Sequence, residues 1–475
     1  MFKHILLGCL LSGLSVWQLA GASHAADDEF TINAKNQIHD IAVANPRSSS
    51  HDVTPGGDLN MLTPTQAVGK LLPANSPLLV RWALPLKDAL VRRLSVPPFS
   101  VKGQYRFFLV ETDQNDLIAV RMDNGAPLWW IKTPAPIFGE IFFNERSIHF
   151  ICASRLVALE KNSGDIRWNV QLPCAPAAGP AAHSASSDKE IIFITGMNRK
   201  VYCLDIIQEA WPSSKQKQVF SSNFSVNIVE PRILWQYRLM GVSTHTPVFD
   251  DNCLYVGSHK KRLYGIMSSG DSITNGAPGD ENVWIERTNG DNIAAPVTEG
   301  PHIIFPSLDH YLYCLTDEKG GVVWKYMAAA PLTVSPQLLY DEDNLDRCFC
   351  LTQRVGDADL LGIDNKNGTP LWQHDKGMRI VGIAFDERSR TPENRFLALS
   401  YDSDSHISAI MPMAKDTRSE EDKNNDNALQ RAMTAKIAWR MPVSAFTEFA
   451  ANNHSHFVFC ATADRKTVCV LEKAH

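Results

Sequence analysis

The chain has 475 residues, 44% hydrophobic and 21% charged, with a mean hydropathy of -0.17. That composition excludes a polytopic membrane protein and a mostly disordered chain. Lys and Arg number 46 against 52 Asp and Glu, a formal net charge of -6. A mildly acidic balance argues against nucleic acid as the main partner, because phosphate binding needs a basic face.

The N-terminus reads as an address. Lys3 precedes an apolar run, Ile5–Leu14, and Ser23-His24-Ala25 places small residues before a cut ahead of Ala26. This is the three-part layout of a secretory signal over residues 1–25. Leu6-Leu7-Gly8-Cys9 superficially matches a lipoprotein box, but the apolar run continues beyond the cysteine, so no lipid anchor is assigned to Cys9. No later apolar stretch is long enough to hold the chain in a membrane, so no transmembrane segment is expected after signal removal. The expectation is an exported protein, periplasmic or extracellular, and monomeric. Residues 26–75 have little periodicity and read as a flexible arm, with a short helix near Pro64–Leu71.

From residue 76 to residue 475 a phrase recurs. It runs from Asp116 to Trp129, from Arg155 to Trp168, from Tyr311 to Trp324 and from Leu360 to Trp372. In each copy a glycine stands four residues before the tryptophan, at Gly125, Gly164, Gly320 and Gly368. The pattern is a strand, a tight polar turn and a second strand, with the glycine supplying the positive φ of the hairpin. Weaker copies end at Trp235, Trp284 and Trp439, and Trp82 marks a strand over Leu78–Leu84. Two further strand signals precede each hairpin, as in Asn252–Gly257 and His302–Pro306. A four-strand unit of about 40 residues, lengthened by insertions, is the mark of a β-propeller. After Trp439 only three strands follow, and Leu78–Leu84 supplies the missing fourth. The fold expected is all-β: an eight-bladed β-propeller of four-stranded antiparallel blades, closed by an N-terminal strand that completes the last blade. The eight repeat-ending tryptophans are read as inter-blade packing, not as a cofactor cage.

Insertions fall near 206–231, with Trp211, Phe220 and Phe224, and near 413–434, charged around Arg418–Asp426 with a short helix suggested at Ala428–Lys436. Both are candidate partner contacts. Nine cysteines remain after signal removal, an odd number, so at least one is free or pairs with another molecule. No CxxC or zinc spacing occurs, and Cys203, Cys314 and Cys469 sit mid-strand as small buried fillers. Oxygen and imidazole clusters at Asp402/Asp404/His406, Asp341-Glu342-Asp343, Asp364 and Asn453-His454-Ser455-His456 lie in loops where such residues are common. None is assigned to a metal or to catalysis.

The repeat Ala-x-(Asp/Glu)-x-x-(Ser/Asn)-Gly-x-x-x-Trp resembles the tryptophan-docking repeat of the pyrroloquinoline-quinone (PQQ) propeller superfamily, over about residues 76–475. Two branches matter: the quinoprotein alcohol dehydrogenases, which hold PQQ and Ca²⁺, and non-catalytic propellers resembling the lipoprotein of the outer-membrane β-barrel assembly machinery. The dehydrogenase branch implies adjacent cysteines and a greater length, both missing here. The second branch implies a non-enzymatic scaffold without cofactor, binding envelope or secreted proteins. A PQQ- and calcium-dependent dehydrogenase is the alternative.

Overall fold

The computed structural model describes residues 43–44, 72, 76–86, 88–97, 106–186, 189–207, 231–250, 252–267, 282–340, 348–353, 360–374, 377–385, 396–402, 404–411, 433–434, 437–451 and 457–473. The signal, nearly all of the arm with its suggested helix, most of both insertions, Asp341–Asp343 and Asn453–His456 lie outside the described residues.

Among the described residues there is no α-helix, and the strands form eight sheets. Each of the first seven takes its first four antiparallel strands in chain order. The first holds Val91–Ser95, Phe107–Thr112, Asp116–Arg121 and Pro127–Lys132; the second holds Ile137–Phe143, Ser147–Cys152, Arg155–Glu160 and Ile166–Gln171. The third to seventh sheets repeat this layout and end on Arg232–Arg238, Val283–Arg287, Val322–Met327, Pro370–His374 and Ile437–Pro442. The eighth differs. Phe446–Ala451, Phe457–Thr462 and Thr467–Lys473 are followed in space by Leu78–Pro85, antiparallel to Thr467–Lys473, with Val80 opposite Leu471.

Burial follows from this layering. Middle strands such as Phe107–Thr112 and Cys253–Ser258 are buried at every residue because both faces are covered. Outer strands such as Val322–Met327 keep their tryptophan buried and expose most of the rest. The cores lie between neighbouring sheets. Trp168 and Val170 of the second pack with Ile192 and Tyr202 of the third, and Trp324 of the fifth packs with Leu361 and Ile363 of the sixth. One such core joins the eighth sheet to the first, through Trp82, Leu84 and Phe459 with Phe108 and Ile118.

Two sheets carry a fifth strand on their outer edge. Val43–Ala44 pairs antiparallel with Ile131 and Trp130, and Met433–Thr434 pairs parallel with Trp372 and Gln373. Within the stretch suggested as a helix, Ala428–Lys436, residues 433–434 are extended, because the exposed edge beside Trp372 offers them ladder hydrogen bonds; the rest of that stretch lies outside the described residues.

Candidate functional site

The repeat residues build one recurring device. In the hairpins at Gly125, Gly164, Gly320 and Gly368 the glycine N–H donates to the carbonyl four residues back, at 2.9–3.0 Å, with φ between 66° and 74°. That left-handed backbone leaves no room for a side chain above the turn, and the tryptophan of the preceding sheet lies there. A Cβ on Gly125 would meet Trp82 Cε3 at 2.5 Å, and one on Gly164 would meet Trp129 Cδ2 at 2.6 Å; Trp284 and Trp324 lie over Gly320 and Gly368 in the same way. Each indole Nε1–H donates to a carbonyl of the same turn: Trp82 to Met122 (3.0 Å), Trp129 to Lys161 (2.8 Å), Trp284 to Asp317 (2.8 Å) and Trp324 to Asn365 (2.7 Å). The glycine four residues before a tryptophan therefore seats its neighbour's indole, not its own.

Local register aims each ring. Opposite seven of the eight tryptophans the third strand carries a small residue: Ala119, Ala158, Cys203, Gly265, Cys314, Gly362 and Ala409. In seven sheets the register also slips just before the tryptophan, a bulge that adds twist and turns the ring toward the next sheet.

Four of the eight tryptophans have this seat among the described residues, and two others are held differently. Trp168 donates instead to Glu190 Oε2 at 2.8 Å, and Glu190 also meets Arg167 Nη1 (3.1 Å), Ser147 Oγ (3.3 Å) and His149 Nε2 (3.5 Å). Burial pushes the Glu190 carboxyl up, but His149, Arg167 and the Trp168 N–H together outweigh it and take it to about 2. This cluster was not singled out in the sequence; its signal is a carboxylate heading the apolar run Ile191–Ile194. Trp439 is the other exception. The strand that would seat it is bordered by Leu78–Pro85 in place of a hairpin, and Trp439 Nε1 is buried with no partner among the described residues.

The candidate metal residues have other tasks. Asp402 is fully buried, accepts from Arg440 Nε (2.9 Å) and Nη2 (2.6 Å), and braces its turn through the N–H groups of Asp404 and His406. Asp364 accepts from the Lys366 N–H inside the Gly368 hairpin. No group of three or more ligating side chains that could hold a metal occurs among the described residues. Burial raises the thiols of Cys152 and Cys174 to about 11 and those of Cys253, Cys314 and Cys469 to about 12, so these cysteines sit as poorly nucleophilic thiols.

Exposed apolar side chains mark the ends of the sheets where second-to-third turns and sheet-to-sheet connections meet. Met197 and Met240 are 55% and 57% exposed, and Leu90 and Val334 are also exposed at such connections. Rigid strands hold these loops in place.

Compared with known proteins, the family model described as outer membrane protein assembly factor BamB matches residues 80–326 and 269–395. The chain belongs to this PQQ-repeat family. BamB from Moraxella catarrhalis is similar in structure, with a TM-score of 0.51 at 16% identity, covering 84% of this chain and 98% of that one. The computationally designed Ika8 protein is similar at a TM-score of 0.50 and 9% identity, covering 81% and 96%. At such identities the likeness speaks to the fold, a β-propeller of PQQ-type repeats. Tetrathionate hydrolase of Acidithiobacillus ferrooxidans is 28% identical over 108 residues, 22% of this chain. The match spans a fifth of that enzyme's length, 20%.

Proposed function

We propose that the chain is an exported, non-enzymatic scaffold that holds protein partners of the cell envelope on a closed eight-bladed propeller. The family match over residues 80–395 carries this reading. The ring is supported by the pairing of Leu78–Pro85 with Thr467–Lys473 and by the core shared between the eighth and first sheets. On this reading each sheet is a blade and the eight tryptophans are struts between blades. Partners bind at the loop-bearing ends, where Met197 and Met240 project, and no cofactor takes part.

The test is cross-linking in intact envelopes through a photoreactive residue at position 240, followed by identification of the captured proteins. Envelope proteins captured at position 240, and lost when Met240→Asp and Met197→Asp are combined, would support the scaffold. A saturable absorbance change with PQQ and Ca²⁺, with dye-linked alcohol oxidation, would replace it with the dehydrogenase reading.

A further inference from the structure

Arg155 opens the third strand of the second sheet, and Asn169 follows Trp168 on the fourth. Register places Asn169 opposite Val157 and Gln171 opposite Arg155, so Arg155 and Asn169 are diagonal neighbours on one face. Trp168 points the other way, toward the third sheet, so this face looks toward the first. The equivalent pair is in contact in other sheets. In the third, Lys200 Nζ lies 3.1 Å from Gln236 Oε1; in the fifth, the Lys325 ammonium lies 5.0 Å from the Tyr311 ring centroid. There Gln236 and Lys325 are exposed and Lys200 and Tyr311 half-buried, whereas Arg155 is 3% exposed and Asn169 0%.

Despite this proximity no hydrogen bond or ion pair of either side chain occurs among the described residues. Arg155 Nε and Nη1 and Asn169 Nδ2 and Oδ1 are all buried without a partner. Burial is the one influence moving the guanidinium, which it pulls below its ordinary value; no carboxylate acts on it. A buried guanidinium without a counter-charge is strongly disfavoured, and three unpartnered donors with one acceptor on the same face define the complement.

We propose that Arg155 and Asn169 form a binding site for a small monoanion between the first and second sheets. Hydrogen carbonate fits best. Its oxygens accept from Nε, Nη1 and Nδ2, and its hydroxyl donates to Oδ1. Acetate and chloride satisfy the three donors alone.

The experiment is thermal unfolding of the mature chain, titrated with sodium hydrogen carbonate, acetate or chloride against gluconate at fixed pH and ionic strength. The expected result is a saturable rise of the midpoint, at the lowest concentration for hydrogen carbonate. Arg155→Met should weaken the response about tenfold, the worth of a hydrogen bond to a charged group. Asn169→Asp hands Arg155 a carboxylate of its own; it should abolish the response and unfold no lower than the wild type in gluconate. A wild-type midpoint indifferent to the anion, as hydration alone would give, overturns the site. So does Arg155→Met answering like the wild type.

Discussion

Trp82 rests on Gly125, with its Nε1–H on the Met122 carbonyl at 3.0 Å and its six-membered ring where a glycine Cβ would stand. Trp82 belongs to the outer strand of the eighth sheet and Gly125 to a hairpin of the first, so one indole locks two sheets drawn from opposite parts of the sequence. The same lock recurs between the first and second, fourth and fifth, and fifth and sixth sheets.

Gly125→Ala meets both a positive φ of 74° and the Trp82 ring. It should cost about 2–4 kcal/mol in urea unfolding, from backbone strain plus overpacking. Gly300 has a φ of 52° and nothing within 4 Å of its missing Cβ, so Gly300→Ala should cost only about 1 kcal/mol. Equal losses at the two positions would mean that the indole seat contributes nothing.

Trp324 and Trp439 separate the hydrogen bond from the ring. Trp324→Phe strands the Asn365 carbonyl, while Trp439→Phe removes an N–H that has no partner among the described residues. Trp324→Phe should therefore be about 1–2 kcal/mol the more destabilising in matched denaturant titrations.

Glu190 ties part of the stability to pH. Its folded value, about 2, lies below that of an unfolded glutamate, so its contribution is complete above the unfolded value and is lost as pH falls toward 2. The contribution is on the order of 3 kcal/mol. Glu190→Gln should flatten stability between about pH 5 and pH 2, measured by chemical unfolding at each pH. A mutant curve parallel to the wild type would refute the assignment.

Asp402 tests the difference between a metal ligand and a structural carboxylate. Asp402→Ala removes the acceptor of Arg440 Nε and of two turn N–H groups, while Arg440 Nη2 keeps Asp404 Oδ2 at 2.9 Å, and should cost about 2 kcal/mol. Wild-type melting should not shift with added Ca²⁺; a shift abolished by Asp402→Ala would restore the metal reading.

The repeat was legible because glycine at the hairpin and tryptophan after it are both required by backbone geometry and volume. What spacing could not convey is that the two residues serve different locks. Gly125 precedes Trp129 by four residues yet holds Trp82, a partnership made by packing across sheets and invisible along one strand. The mid-strand cysteines read as small fillers, and register gives the reason for Cys203 and Cys314: each faces a tryptophan across the ladder, where alanine or glycine stands in other sheets. Glu190 went unnoticed because it acts in place of the turn carbonyl that seats other indoles. Arg155 and Asn169 looked ordinary because their burial is decided by the neighbouring sheet.

Leu78–Pro85 pairs with Thr467–Lys473, and this has a consequence for how the molecule is made. A ribosome releases residues 78–85 long before residues 467–473. The earlier strand, with Leu78, Trp82 and Leu84 destined for burial, must wait without its partner while seven sheets form. That interval exposes a sticky edge to every other nascent chain, so the final ladder is formed last and is the step most in need of a holding chaperone.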